Sequence, residues 1–337
     1  MSRVADLIAP TGRPPFDILR AAHAELHVTD LDASLTFYES ALGLIVTERR
    51  DDVAYLRGWE ECHHHSLVLR RAPLAAVGHV AFRVAEEADL QRLHEHFAAR
   101  DGDPRWHDDE PGHGRALRVR DPLGYTLEFF HAMDLAERHT QRFDLQRGAP
   151  VLRFDHLNFH VDEPERAFSF WQELGFRCTE YIATDGDDER IAGAWLRRKP
   201  SVHDVALTTG RGPRLHHIGL WVADAAGVIR ACDQLAAGGR VAAIERGPGR
   251  HGVSNAFFVY LRDPDGHRIE LYTCDYYTGD PDLPPLRWSV DDPSARSFWG
   301  TRAPDSWYEE SSTVLDLDGN PVDTHAAPID ERDELLA

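Results

Sequence analysis

The chain is short of cysteine, of long apolar runs and of positive charge. Its four cysteines, Cys62, Cys178, Cys232 and Cys274, are scattered through 337 residues without CxxC spacing. They read as reduced thiols of a cytoplasmic protein. No apolar run reaches the roughly 18 residues that a membrane-spanning helix needs, so none is expected. The opening stretch, MSRVADLIAPTGRPPFDI, lacks the apolar segment of a signal peptide. A formal net charge of −20 argues against nucleic-acid binding and against anionic membranes, since both demand a basic surface. What is present is a 42% hydrophobic fraction, ample for two packed cores. The 20 histidines raise the expectation of metal chemistry.

One phrase is written twice. Residues 121–130 read DPLGYTLEFF and residues 263–272 read DPDGHRIELY. Each is an Asp-Pro-x-Gly turn followed by alternating apolar residues, the mark of a strand. Each strand carries one glutamate among apolar neighbours, Glu128 and Glu270. The match extends: RAAHAELHVTD (20–30) aligns with RFDHLNFHVDE (153–163), placing His23 with His156 and His27 with His160. Helices are expected after each: LDASLTFYESALG behind an Asp30 N-cap, and EPERAFSFWQELG with Pro164 in its first turn, ending at Gly43 and Gly175. Further helices are expected at 88–100 and 226–239. Leu90, Leu93 and Phe97 form an apolar stripe on the first of these.

The chain thus divides into quarters beginning near residues 20, 75, 152 and 214, each reading strand, helix, then two or three strands. The fold class is α+β, with two domains of two βαβββ modules each. The expected limits are 1–145, 146–285 and a tail at 286–337 that covers the site, with a linker at 132–150.

A carboxylate on a half-buried strand is costly unless it is paired or binds a metal. In the second half, His156, His217 and Glu270 lie on three separate strands. Two imidazoles and one carboxylate can fill one face of an octahedral ion and leave three positions open, the pattern of non-haem Fe(II) oxygenases. His23, His79 and Glu128 hold the equivalent positions in the first half, and His65 precedes His79 by the same interval that separates His203 from His217. Spacing leaves open whether they too bind metal. Arg118 stands where the second half has Tyr260, each three residues before its turn.

Long stretches, among them KPSVHDVALTTGRGPRLHHIGLW (199–221), IERGPGRHGVSNAFFVYLRDPDGHRIELYTCDYYTGDPDLP (244–284) and SWYEESSTVLDLDGNP (306–321), are similar to the type I extradiol ring-cleaving dioxygenases of the vicinal oxygen chelate superfamily. The likeness runs from about residue 18 to 320. It is nearest the branch acting on homoprotocatechuate (3,4-dihydroxyphenylacetate). The resemblance implies a metal, Fe(II) or Mn(II), on His156, His217 and Glu270, with O₂ as co-substrate and a catechol as substrate. It implies His203 as acid/base, Tyr260 as a donor to substrate oxygen, Asn158 near the O₂ position and Trp195 in the pocket wall. Arg246, His251 and Arg296 would lie near the substrate's side chain and His216 behind a ligand. It also implies a homotetramer. Ala295-Arg296 departs from the arginine pair of that branch. The same scaffold also hosts glyoxalase-like isomerases or lyases and metal-free small-molecule binding proteins, so fold alone does not decide.

Overall fold

The computed structural model describes residues 3–9 and 12–327; the last ten residues of the expected tail lie outside the described part. After a short helix α1 (Arg3–Ile8), four modules follow with one plan. The first is β1 (Ile18–Val28), α2 (Leu31–Leu35), β2 (Ile45–Arg49), β3 (Val53–Arg57) and β4 (Leu67–Arg71). The second is β5 (Ala76–Val84), α3 (Glu87–Ala98), β6 (Arg105–His107), β7 (Ala116–Arg120) and β8 (Thr126–Phe130). The third is β9 (Val151–Val161), α4 (Pro164–Glu173), β10 (Arg177–Ala183), β11 (Ile191–Arg197) and β12 (Val205–Thr209). The fourth is β13 (Arg214–Val222), α5 (Ala225–Ala237), β14 (Ile244–Arg250), β15 (Phe257–Arg262) and β16 (Arg268–Thr273). Every module has three strands after its helix.

Helix starts follow local chemistry. Asp30 and Asp224 accept backbone N–H bonds from Ala33 and Gly227 as N-caps, and Pro164 opens α4. The helix expected over 31–43 is α-helical only to Leu35. From Thr36 to Ala41 it widens to a π-helix, with Leu42 N–H reaching the Phe37 carbonyl five residues back. Periodicity cannot separate these forms, because both bury Leu35, Phe37 and Tyr38.

The first two modules build one sheet in the order β2-β3-β4-β1-β5-β8-β7-β6. The other two build a second sheet, β14-β15-β16-β13-β9-β12-β11-β10, extended at its edge by β17 (Leu286–Ser289). That last strand comes from the tail, whose sequence has only weak periodicity, and pairs parallel to β10. The rest of the tail, with α6 (Pro293–Arg296) and α7 (Asp305–Glu309), crosses back to the first half, where Thr126 donates to the Leu315 carbonyl at 2.9 Å. The two halves share one continuous core. Phe82 meets Trp171 at 5.1 Å and Phe97 meets Phe170 at 6.2 Å between ring centres.

The repeated turns lock the halves together reciprocally. In each, Gly124 and Gly266 adopt φ of +102° and +86°, a conformation that L side chains resist. Asp121 accepts from the backbone of Leu123 and Tyr125, and Asp263 from Asp265 and His267. The fifth residue of each turn then reaches into the other half. Tyr125 donates to the His160 carbonyl at 2.5 Å, and His267 Nε2 donates to the His27 carbonyl at 3.0 Å. His27 and His160 are themselves repeat partners. The copies differ in one respect: Asp263 Oδ2 accepts from Tyr38 at 2.9 Å, whereas Asp121 Oδ2 is buried with no hydrogen bond.

Burial outweighs the backbone N–H bonds that favour the charged form and pushes Asp121 up to about 7. A carboxyl group raised in the folded state favours folding below its unfolded pKa of about 4, and that contribution is lost as pH rises towards 7. Asp121→Asn keeps both N–H acceptor contacts and cannot ionise. Its melting temperature relative to wild type should therefore climb between pH 4 and 7 and level off above. Parallel pH profiles for the two proteins would refute the assignment.

Candidate metal centre

Strands β9, β13 and β16 are neighbours, so side chains from all three stand in one row. His156 pairs across to Gly219, and Gly219 pairs across to Glu270. His217 lies two residues before Gly219 and shares its face of β13. Glycine at this central position is a requirement of the row. A Cβ there would lie 2.1 Å from His156 Cε1 and 2.4 Å from its Nε2.

His156 Nε2, His217 Nε2 and Glu270 Oε2 converge with separations of 3.3, 2.9 and 3.1 Å. All three residues are at most 3% exposed. Donor atoms about 2.1 Å from one ion and at right angles around it lie about 3 Å apart, so the set fits one face of an octahedral cation. The electrostatics point the same way. Burial opposes ionisation of Glu270, but His156 and His217 hold it well below the usual carboxylate range. Burial also opposes a charge on His156, yet Asp155 and Glu270 raise it to about 9, while burial takes His217 down to about 4. Positive charge is thus favoured at the point where the three groups meet. Asp155 Oδ2 sits 3.0 Å from His156 Nδ1 and fixes the ring with Nε2 towards the centre, the usual arrangement behind a metal-bound histidine.

A cavity of about 130 Å³ opens on this centre. A cavity of roughly 150 Å³ accepts a benzene ring, so one aromatic ring is the right scale. His217, Glu270, His203, Tyr260, Asn158, Trp195, Arg246, His251, Arg296 and His216 all line it, and His156 lies fully buried beneath. The structure therefore gathers every site residue named from the sequence around one space.

His203 packs against His156, with ring centres 4.0 Å apart and planes tilted by 43°. Burial, reinforced by the charges of His156 and Lys199, holds it well below the usual histidine range, and its Nδ1 has no hydrogen bond. It is a neutral imidazole. Tyr260 faces Glu270 across β15 and β16. Burial, with the Glu270 charge, raises its phenol well above its ordinary value, so it keeps its proton. His251 bonds the Arg296 carbonyl through Nδ1, which must therefore donate. Its Nε2, 2.9 Å from the Tyr260 hydroxyl, is left to accept that proton's hydrogen bond. Asn158 Oδ1 accepts from Thr208 at 2.8 Å. His216 meets His217 Nδ1 to Nδ1 at 2.6 Å, and its Nε2 lies 3.0 Å from the Trp307 carbonyl.

Arg246 is 4% exposed and hydrogen-bonds Ser297 Oγ at 2.6 Å and the Arg296 carbonyl at 3.2 Å. Its guanidinium lies 4.6 Å from the Trp307 ring centre, and its Nε has no partner. Arg296 donates to the Val290 carbonyl. Neither arginine has an ion pair among the described residues. Ala295 is not among the residues lining the cavity and lies fully buried in a cluster with Trp195, Val202 and Val253.

Several contributors escape sequence reasoning. Trp307 and Tyr308 bring the tail over the cavity, with the Trp307 ring 4.2 Å from Tyr260; the tail has no periodicity to announce them. Lys199, the only lysine in the chain, places Nζ 2.5 Å from the Asp155 carbonyl, 2.8 Å from the His203 carbonyl and 3.2 Å from Asp204 Oδ1. It ties the strand of one ligand to the loop carrying His203. Its singularity among 36 arginines was the available signal.

In the first half, His23, His79 and Glu128 also converge, at 3.2, 3.3 and 3.5 Å. There Ala22 replaces Asp155, Ala81 replaces Gly219 in the row, and Arg118 Nε holds Glu128 Oε2 at 2.8 Å.

The family model described as Glyoxalase/Bleomycin resistance protein/Dioxygenase superfamily matches residues 20–129 and 153–271. The chain is 31% identical over 327 residues to a metapyrocatechase of Geobacillus stearothermophilus, covering 92% of this chain and 96% of that one. It is 30% identical over 299 residues to a manganese-dependent 2,3-dihydroxybiphenyl 1,2-dioxygenase of Geobacillus genomosp. 3, covering 84% and 94%. Among solved structures, homoprotocatechuate 2,3-dioxygenase from Brevibacterium fuscum in anaerobic complex with 3,4-dihydroxyphenylacetate aligns with a TM-score of 0.90 and 45% identity, over 94% of this chain and 100% of that one.

Asp155→Asn and Gly219→Ala test how the centre is built. The first removes the charge that orients His156, and the second drives a methyl group into that ring. Each should weaken metal retention on the order of 10- to 100-fold, read by metal analysis after graded chelator dialysis, with the far-ultraviolet circular dichroism of the fold preserved. Undiminished retention in both would show that the row does not control the ligand.

Proposed function

The chain belongs to the Glyoxalase/Bleomycin resistance protein/Dioxygenase superfamily, and we propose that its C-terminal centre cleaves a catechol bearing an anionic side chain, 3,4-dihydroxyphenylacetate or a close relative. The reaction class is extradiol cleavage: the ring opens beside the two hydroxyls, and both atoms of O₂ enter a muconic semialdehyde. The observation that carries the substrate reading is the pair Arg246 and Arg296, which line the cavity with no acidic partner. A buried cation, Arg246, beside a half-buried one, Arg296, is costly without a countercharge, and a substrate carboxylate would relieve them through charge-assisted hydrogen bonds.

A bound Fe(II) or Mn(II) would be held by His156, His217 and Glu270 and would supply Lewis acidity towards catechol and O₂, with open positions for both. The surrounding residues have roles suited to their protonation. His203, neutral and beside His156, is suited to take a phenolic proton and return it as the ring opens. Tyr260 keeps its proton and would turn it from His251 Nε2 to the substrate oxygen as negative charge grows there. Asn158 is suited to hold the O₂ side, and Trp195 to pack on the ring. His216 anchors His217 to the tail. In this reading the catalytic work belongs to residues 146–285, the first half is a scaffold, and the tail closes the cavity.

A homotetrameric assembly remains the expectation that the family resemblance implies, and four free cysteines suit a reducing compartment such as the cytoplasm. No helix among the described residues is long and apolar enough to cross a membrane.

Three experiments test the reading. Anaerobic protein given Fe(II) and 3,4-dihydroxyphenylacetate, then air, should consume oxygen and turn yellow; bound metal without colour on any catechol would favour an isomerase. His203→Phe should retain metal yet slow ring cleavage sharply, and undiminished turnover would remove histidine from the mechanism. Arg246→Met should lower kcat/KM for 3,4-dihydroxyphenylacetate by about 1.5–3 kcal/mol, on the order of 10- to 100-fold, while unsubstituted catechol is little affected. Equal losses on both substrates would count against a carboxylate contact.

A further inference from the structure

The N-terminal half contains a denser cluster of metal-type ligands than the centre described above. His23, His65, His79, His113 and Glu128 are all 7% exposed or less. They form two overlapping ligand sets, His23–His79–Glu128 and His23–His65–His113, each with donor atoms within 4.8 Å of one another. The His23 ring lies 4.7 Å from His65, 5.4 Å from His79 and 5.7 Å from His113, centre to centre.

Glu128 is the pivot. Its Oε2 accepts from Arg118 Nε at 2.8 Å, and the same guanidinium is held from its other side by Glu110 at 2.6 Å. Its Oε1 lies 3.3 Å from His23 Nε2 and 3.4 Å from His113 Nε2, yet makes no well-formed hydrogen bond to either. Arg118 therefore occupies one oxygen and leaves the other as a buried donor among imidazoles. An unsatisfied carboxylate oxygen in such a place is costly, and the nitrogens of two imidazoles stand beside it. His113 Nδ1 is taken up by the Gly114 carbonyl at 3.0 Å, which directs Nε2 inward as a lone-pair donor.

We propose that the N-terminal half holds a second divalent transition-metal ion of the zinc class, on the converging set His23, His79 and Glu128, with His113, 3.4 Å from Glu128 Oε1, turning in to close the shell. The donor set is three imidazoles and one monodentate carboxylate, suited to a closed tetrahedral ion. It offers no face for substrate, so the ion is structural. It clamps β1, β5 and β8 to the loop before β7. The site differs in kind from its C-terminal counterpart: Arg118 blocks bidentate binding, and Ala22 leaves His23 Nδ1 without the partner that Asp155 gives His156. The proposal stands independently of the dioxygenase reading, because it concerns residues remote from that cavity.

The test uses full-length protein carrying His217→Ala and Glu270→Gln, which disables the C-terminal centre. After chelator stripping, Zn²⁺ loading and gel filtration, this variant should retain one zinc per chain, and wild type two. Adding His23→Ala and His79→Ala should bring retention to zero. Should that last variant fail to fold, Co²⁺ read on the His217→Ala/Glu270→Gln protein still decides. Intense visible bands of a four-coordinate ion support the site, and their absence overturns it. Retention of no zinc by that protein, or of zinc that survives loss of His23 and His79, also overturns it.

Discussion

A buried ionised carboxylate must be met by positive charge or by donors, and the placement of Glu270 imposes that demand on the C-terminal half. Glu270 is brought into the interior by the strand following a tight turn, beside two imidazoles carried by neighbouring strands. Much of the surrounding chemistry answers that placement. Asp155 turns His156 to face it, Gly219 keeps the row open, and Tyr260 stands opposite with its proton retained by burial and by the carboxylate's own charge. The arginines lining the same cavity have no such answer among the described residues, and in the proposed reading that asymmetry gives the cavity a metal-binding part and an anion-receiving part.

The duplicated half shows how few residues separate the two outcomes. Its glutamate is as deeply buried, yet a guanidinium stands in place of the phenol, a methyl group in place of the glycine hydrogen, and an alanine in place of the orienting aspartate. Each exchange removes something an open, reactive centre needs: a neutral donor, room between ligands, a fixed imidazole. Similar backbones thus carry different chemistry, as expected when function resides in sites placed on a common scaffold.

Much of this was legible from the chain because repetition does the work of a second sequence. The paired turns and the aligned His23/His156 and His27/His160 segments located the modules. The ligands followed because a lone polar residue on an apolar strand is informative twice when it recurs. What stayed hidden lacks a local signature. Strand β17 and the cover formed by Trp307 and Tyr308 come from a proline- and aspartate-rich tail, whose conformation is set by what it lies against. The π-helical turn after α2 has the same buried face as an α-helix. Gly219 is read from sequence as a small residue in a strand, and only the cross-strand register reveals that two ligands flank it. Lys199 acts largely through main-chain carbonyls of Asp155 and His203, and a carbonyl leaves no mark in the sequence.

The exchanged turns carry a consequence for descent. Tyr125 of one half is satisfied by the first strand of the other, and His267 returns the contact to the equivalent carbonyl. A chain of half this length, bearing one turn and one first strand, could not close that contact on itself. It would close it with a second copy, residue i meeting j and j meeting i, as in an isologous two-fold dimer. Fusion of two such genes would preserve the contact while freeing each copy to change alone. Asp121, left without the tyrosine that Asp263 enjoys, is where that freedom is visible as lost symmetry.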